Sequence, residues 1–120
     1  MLKRIILTFF FLLLATPALA ATEVGDTIPS PLTIADQTGE TQGLDALKGE
    51  KGLVLVFVRS TKWCPYCQKQ LKELNSAKDS ITSQGYNLVG LSYDSVEQQK
   101  SFSEKNSISY PLLSDTNSEV

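Results

Sequence analysis

Leu53-Val54-Leu55-Val56-Phe57-Val58-Arg59-Ser60-Thr61-Lys62-Trp63-Cys64-Pro65-Tyr66-Cys67 is the stretch on which the fold turns. Leu53 to Val58 is continuous, apolar and rich in β-branched side chains. A strand apolar on both faces predicts a place in the middle of a covered, largely parallel sheet, with Phe57 and Val58 in the core. After a short loop, Pro65 suits the first turn of a helix, where its missing N–H costs nothing. Leu71, Leu74, Ala77 and Ile81 then recur at near-helical spacing between Lys and Gln residues, and Gly85 closes the helix. Asn87-Leu88-Val89-Gly90-Leu91 reads as a second buried strand. Strand, helix and strand together make a right-handed βαβ unit and an α/β domain.

Further along, Ser95 to Gln98 has the Ser-x-x-Gln pattern of a capping box and predicts a second helix with Val96 and Phe102 on its core side. Pro111-Leu112-Leu113 begins a third strand, followed by a polar tail from Ser114 to Val120. On the amino-terminal side, Leu32 to Ile34 alternate as a short strand. Asp36-Gln37-Thr38-Gly39 is a turn signal, Glu40 to Gln42 a returning strand, and Asp45 to Lys48 a single helical turn ended by Gly49. Residues 21–31 read as an extended, proline-punctuated lead-in.

The chain opens like an export signal. Lys3 and Arg4 form a positive start, Ile5 to Ala15 is apolar apart from Thr8, and Pro17 leads into Ala18-Leu19-Ala20, a small-x-small cleavage site. The apolar run is shorter than the roughly 20 residues a spanning helix needs. No Cys follows the cleavage site to take a lipid. Residues 1–20 are therefore expected to be a cleaved signal and residues 21–120 one domain, exported and periplasmic, with no stable membrane insertion afterwards. Losing Lys3 and Arg4 leaves nine basic residues against thirteen acidic, a net charge of −4. Scattered charge of that sign gives no case for nucleic acid or anionic lipid as a partner. Histidine is absent, which excludes Cys-His and Ser-His catalysis and most zinc sites built from this chain alone.

Both cysteines lie in one Cys-x-x-Cys. A domain stapled for stability carries several cysteines spread along the chain. A disulfide closing so small a loop removes little unfolded-state entropy, and two thiols cannot complete a four-ligand zinc shell. No metal site and no cofactor is expected; redox chemistry is. The motif falls where the first long strand hands over to its helix, so Cys64 sits at the helix N-terminus and Cys67 one turn in. Unpaired backbone N–H groups and the helix dipole stabilise a thiolate there, with Lys62 or Arg59 as further activators. Cys64 is expected to be the exposed nucleophile with a lowered pKa, and Cys67 the partly covered second thiol. Trp63 is expected as a half-buried wall beside the thiol. Tyr66, with Pro65 between the thiols, is expected to be exposed and open to substrate.

The chain resembles the peroxiredoxin-like redoxins, the alkyl hydroperoxide reductase and thiol-specific antioxidant group. The resemblance rests on Gly25-Asp26-Thr27-Ile28-Pro29, Asp36-Gln37-Thr38-Gly39-Glu40-Thr41, Val89-Gly90-Leu91-Ser92-Tyr93-Asp94-Ser95, Phe102 and Tyr110-Pro111-Leu112-Leu113-Ser114-Asp115. It implies a thioredoxin-like fold with a peroxiredoxin-type N-terminal hairpin ahead of the βαβ unit. By this resemblance Cys64 is the peroxidatic cysteine, and Thr61, three residues before it, hydrogen-bonds the attacked peroxide. Two positions depart from the family pattern. Phe57 stands where the family has a proline seven residues before the cysteine, and the second cysteine at plus three is similar to glutaredoxins and thioredoxins instead. The family also continues beyond Leu113-Ser114-Asp115 into a C-terminal β-hairpin, entered through a cis-proline, and a final helix, with an arginine that helps bind peroxide. Those segments are missing from this sequence. A truncated domain with an unpaired sheet edge, exposed core surface and marginal stability is expected.

Three functions follow. In a thiol peroxidase, Cys64 attacks the peroxide O–O bond, becomes a sulfenic acid and condenses with Cys67. In a disulfide oxidoreductase, Cys64 attacks a substrate disulfide and Cys67 resolves the mixed disulfide. In a binding module, the two thiolates hold copper(I), although no Met or His donor accompanies them. Both enzymatic readings take a peroxide or a disulfide as substrate and a thiol reductant, thioredoxin-like or glutathione, as partner.

Overall fold

Alternation along the strand after Gly52 decides how the sheet is covered. In the computed structural model, which describes residues 22–28 and 32–120, this strand is β3, Gly52–Phe57. The expected signal, residues 1–20, and Pro29 lie outside the described residues. Val54, Val56 and Val58 face one side of the sheet and Leu53 and Leu55 the other, as the two-residue period of a strand requires.

Two β-strands ahead of it form an antiparallel pair, β1 (Thr33–Ala35) and β2 (Thr41–Gly43), around the expected Asp36–Gly39 turn. Asp36 closes that turn by accepting from Thr38 N and Thr38 Oγ1 at 2.7 and 2.6 Å. One short turn of helix, α1 (Leu44–Leu47), follows. After β3 come helix α2 (Pro65–Ser83), strand β4 (Tyr86–Ser92), helix α3 (Val96–Asn106) and strand β5 (Leu112–Ser114). The capping box is present in full: Ser95 Oγ accepts from Gln98 N, and Gln98 Oε1 accepts from Ser95 N. Gly85, with φ +92°, turns the chain out of α2 into β4.

The three long-range strands are parallel, in the order β3-β4-β5. Register runs from Gly52 opposite Tyr86 to Phe57 opposite Leu91, and from Gly90 opposite Leu112 to Ser92 opposite Ser114. On one face Leu71 of α2 and Phe102 of α3 pack with Leu88, Ile108, Tyr110 and Leu112. Fully burying one such Leu contributes about 1.5–3 kcal/mol. On the other face Ile34 of β1 and Leu47 of α1 cover Val89, Leu91 and Leu113.

Four expectations are corrected. The strand in the middle is β4, while β3 is at the edge of the sheet with no partner on its outer side among the described residues. An apolar residue on both faces reports cover above and below, not hydrogen-bonded neighbours at the sides. Phe57 is 60% exposed and not core. It continues the Leu53 and Leu55 face, and the hairpin covering that face bridges to β5 through Asp36 and Leu113, the strand farthest from β3. Ala77 is exposed, so α2 is anchored by Leu71, Leu74 and Ile81 alone among the four expected positions. The tail also starts later than its polarity suggests: Ser114 completes β5, and Asp115 is buried, donating its N–H to Ser92 O at 2.8 Å and accepting from Glu119 N at 2.9 Å.

Candidate functional site

Parallel strands deliver their C-terminal ends to one edge of the sheet, and chemistry gathers in the crevice there. Here the loop after β3 carries residues 58–64 and the loop after β4 carries Tyr93 and Asp94. Cys64 is the N-cap of α2 and Pro65 its first residue, as the missing proline N–H allows. Cys64 and Cys67 are joined by a disulfide with their Cα atoms 5.3 Å apart. Cys67 N donates to Cys64 Sγ at 3.3 Å, so an otherwise unpaired helix amide is directed at the sulfur.

Cys64 is 2% exposed and Cys67 8%, which reverses the expected order. In this oxidised form both residues are buried, Cys64 the more deeply. Tyr66 is exposed as expected and Trp63 is half exposed. Trp63 is held by a hydrogen bond from its Nε1 to Tyr93 Oη at 2.9 Å and by the Arg59 guanidinium 5.3 Å from its ring centroid. Arg59 is therefore placed on the indole, a cation–π contact. Lys62 is exposed and stands with Thr61, Gln68 and Lys72 of α2 and Gln98 and Lys105 of α3 around an open cleft of about 650 Å³.

Thr61 is buried, and what buries it is Asp94, a residue that pattern reasoning passed over. Asp94 Oδ1 accepts from Ser60 Oγ at 2.7 Å, and Oδ2 accepts from Thr61 N at 2.5 Å, Thr61 Oγ1 at 2.9 Å and Ser92 Oγ at 2.8 Å. Burial pushes this carboxyl up, and the four donors outweigh it and hold it below the ordinary value. Gln99 of α3 extends the network, donating to Ser92 Oγ at 3.2 Å and Leu113 O at 2.5 Å. Gln68 fastens the loop from the other side, donating to Thr61 O at 2.8 Å and Lys62 O at 3.1 Å. Asp94 stands just past the C-terminal end of β4, next to the end of β3, a neighbourhood that parallel register creates. Among the described residues no group of three or more Cys, Asp or Glu stands close enough to hold a metal ion.

The AhpC/TSA family model matches residues 24–120. The chain belongs to the AhpC/TSA family. Among AhpC/TSA relatives, peroxiredoxin bcp1 of Schizosaccharomyces pombe is 35% identical over 98 residues, covering 82% of this chain and 49% of the relative. The chloroplastic peroxiredoxin Q of Sedum lineare is 33% identical over 92 residues, covering 77% and 48%. The chain thus spans about half the length of these curated relatives. The crystal structure of peroxidoxin BcpB from Mycobacterium tuberculosis superposes with a TM-score of 0.75 at 30% identity, over 82% of this chain and 63% of that one. That of Xylella fastidiosa PrxQ, at 23% identity and a TM-score of 0.73, shows the same fold. The expected peroxiredoxin-like, thioredoxin-fold architecture is therefore that of this AhpC/TSA chain.

Proposed function

We propose that this protein is an exported thiol peroxidase in which Cys64 is the peroxidatic cysteine and Cys67 resolves it. The observation that carries the reading is the Cys64–Cys67 disulfide at the N-terminus of α2, with Cys64 three residues after a threonine whose loop gives Asp94 three hydrogen bonds. The Cys64 thiolate attacks one oxygen of a hydroperoxide, the O–O bond breaks, and an alkoxide or hydroxide leaves and takes a proton from solvent. Cys67 then attacks the Cys64 sulfenic acid, forming the disulfide and releasing water. An external thiol reductant restores the dithiol.

A second reading, disulfide exchange, draws on the same disulfide, because its two thiols lie within one helical turn with Pro65 and Tyr66 between them. The test reduces the protein, mixes it with hydrogen peroxide or with glutathione disulfide, and follows thiol loss by mass spectrometry. Fast peroxide oxidation supports the peroxidase. Slow peroxide chemistry beside fast glutathionylation of Cys64 would replace it with the oxidoreductase. Export rests on the Lys3-Arg4 start and the Ala18-Leu19-Ala20 site; amino-terminal sequencing of the protein from a periplasmic fraction tests it, with Ala21 as the expected first residue.

A further inference from the structure

A carboxylate without a cation stands behind the thiol loop. Asp94 is 3% exposed, and no ion pair among the described residues includes it. Hydrogen-bond donors alone satisfy it. An ionised carboxylate has no proton to give and can only accept, so the three hydroxyls that meet it, those of Ser60, Thr61 and Ser92, have a fixed direction. Ser60 points its single proton at Asp94 Oδ1 and uses its lone pairs to accept from Lys62 N at 3.0 Å and Trp63 N at 3.3 Å. Those are the two amides that lead the chain into Cys64. Thr61 points its single proton at Asp94 Oδ2, and its oxygen keeps two lone pairs that no donor among the described residues uses.

We propose that Asp94 is a positioning residue for this site: by taking the Thr61 hydroxyl proton it makes Thr61 Oγ1 a pure acceptor, which selects and orients substrates that bring an O–H. The inference rests on the peroxidase reading above and concerns how that site chooses its substrate. A hydroperoxide R–O–O–H donates its hydrogen to Thr61 Oγ1. The Cys64 thiolate attacks the oxygen that bears this hydrogen, the S–O bond forms, and the O–O bond breaks. The hydrogen stays on the transferred oxygen as Cys64 sulfenic acid. The electron pair of the O–O bond leaves with RO⁻, which is protonated by solvent. Sulfur is oxidised by two electrons and the peroxide is reduced to an alcohol. Were Thr61 free to donate, it would bind either peroxide oxygen and orient neither.

The reduced full chain is reacted in parallel with cumene hydroperoxide and with iodoacetamide, an alkylating agent that needs no hydrogen-bond acceptor. The readout is the ratio of the two rate constants for Cys64. Asp94→Asn keeps the side-chain volume and places an N–H₂ where a carboxylate oxygen accepted. The ratio falls by about tenfold or more, as loss of orientation does, while alkylation stays within about twofold. Thr61→Val lowers the ratio comparably, and the Thr61→Val, Asp94→Asn double variant is no worse than Thr61→Val alone. An unchanged ratio in Asp94→Asn, or losses that multiply in the double variant, overturns the inference. On the wild-type chain, the carboxyl carbon of Asp94 gives the NMR shift of a carboxylate at neutral pH; a protonated carboxyl there overturns it whether or not the variants fold. A wild-type ratio no greater than that of a free thiol removes the peroxidase reading itself. A high wild-type ratio indifferent to Asp94→Asn removes this inference alone.

Discussion

The backbone N–H of Cys67 lies 3.3 Å from Cys64 Sγ, which makes the sulfur the N-cap acceptor of α2. Oxygen side chains do the same at ordinary helix starts. After reduction the same N–H and the positive end of a helix of 19 residues face a thiolate. Cys64 in the reduced protein is therefore expected to titrate below the ordinary thiol value, with no histidine involved. The pH dependence of its alkylation rate in the Cys67→Ser variant measures this, and an ordinary thiol titration would show that the helix end does not activate it.

Gly90 sits in the central strand with almost no room above it. A Cβ there would lie 2.7 Å from Leu112 Cδ2 and 3.3 Å from Leu71 Cδ2. Gly90→Ala should push two buried leucines apart and destabilise the fold by about 1–3 kcal/mol. Urea denaturation followed by circular dichroism measures the change; an unaltered midpoint would mean that the core between α2 and β5 is loose.

Gln99 ties α3 to the ends of β4 and β5 through one side-chain amide, with its N–H₂ shared between Leu113 O and Ser92 Oγ. Gln99→Ala removes the donor and leaves both acceptors buried, at a cost of about 1–3 kcal/mol. Because Ser92 also donates to Asp94, the same variant should loosen the thiol loop. Faster amide hydrogen exchange at Lys62 and Trp63 reports it, and exchange unchanged at those two amides would uncouple α3 from the loop.

Acid should unfold the protein through two aspartates. Burial raises the carboxyls of Asp36 and Asp94, and their hydrogen bonds, led by those from Thr38 and Gln42 to Asp36 and from the Thr61 amide to Asp94, bring both below the ordinary value of 3.8. A carboxyl depressed in the folded state stabilises fully above its unfolded value, and that contribution is lost as pH falls through the folded one. Stability is expected to hold from neutrality down to about pH 5 and to decline on the acid side of the ordinary carboxyl range. Denaturation midpoints across this range check it, with Asp94→Asn giving a shallower acid slope; a decline beginning near neutrality would point to another group.

The order of elements was legible because each start and stop has a local cause: Pro65 opening α2, Gly85 closing it, the Ser95 and Gln98 box opening α3. The site was legible where chemistry is carried by rare residue types, Cys64 and Cys67, and in the residues around them, Thr61, Trp63 and Tyr66. Asp94, Ser60 and Ser92 are common polar residues whose role arises from parallel register, which places the end of β4 beside the end of β3 across more than thirty residues of chain. Sequence patterning could not supply that contact. Nor could it tell the edge from the centre of the sheet, because β3 and β4 are both apolar on two faces and differ in their lateral neighbours.

The decisive measurement is the fate of Cys64 in the reduced Cys67→Ser variant after a brief exposure to hydrogen peroxide, read by mass spectrometry with a sulfenic-acid trap. The peroxidase reading predicts a single trapped sulfenic acid on Cys64, formed much faster than on a free thiol, and its replacement by the Cys64–Cys67 disulfide in the wild type. Oxidation no faster than that of a free thiol, or trapped adduct absent from Cys64, would contradict it.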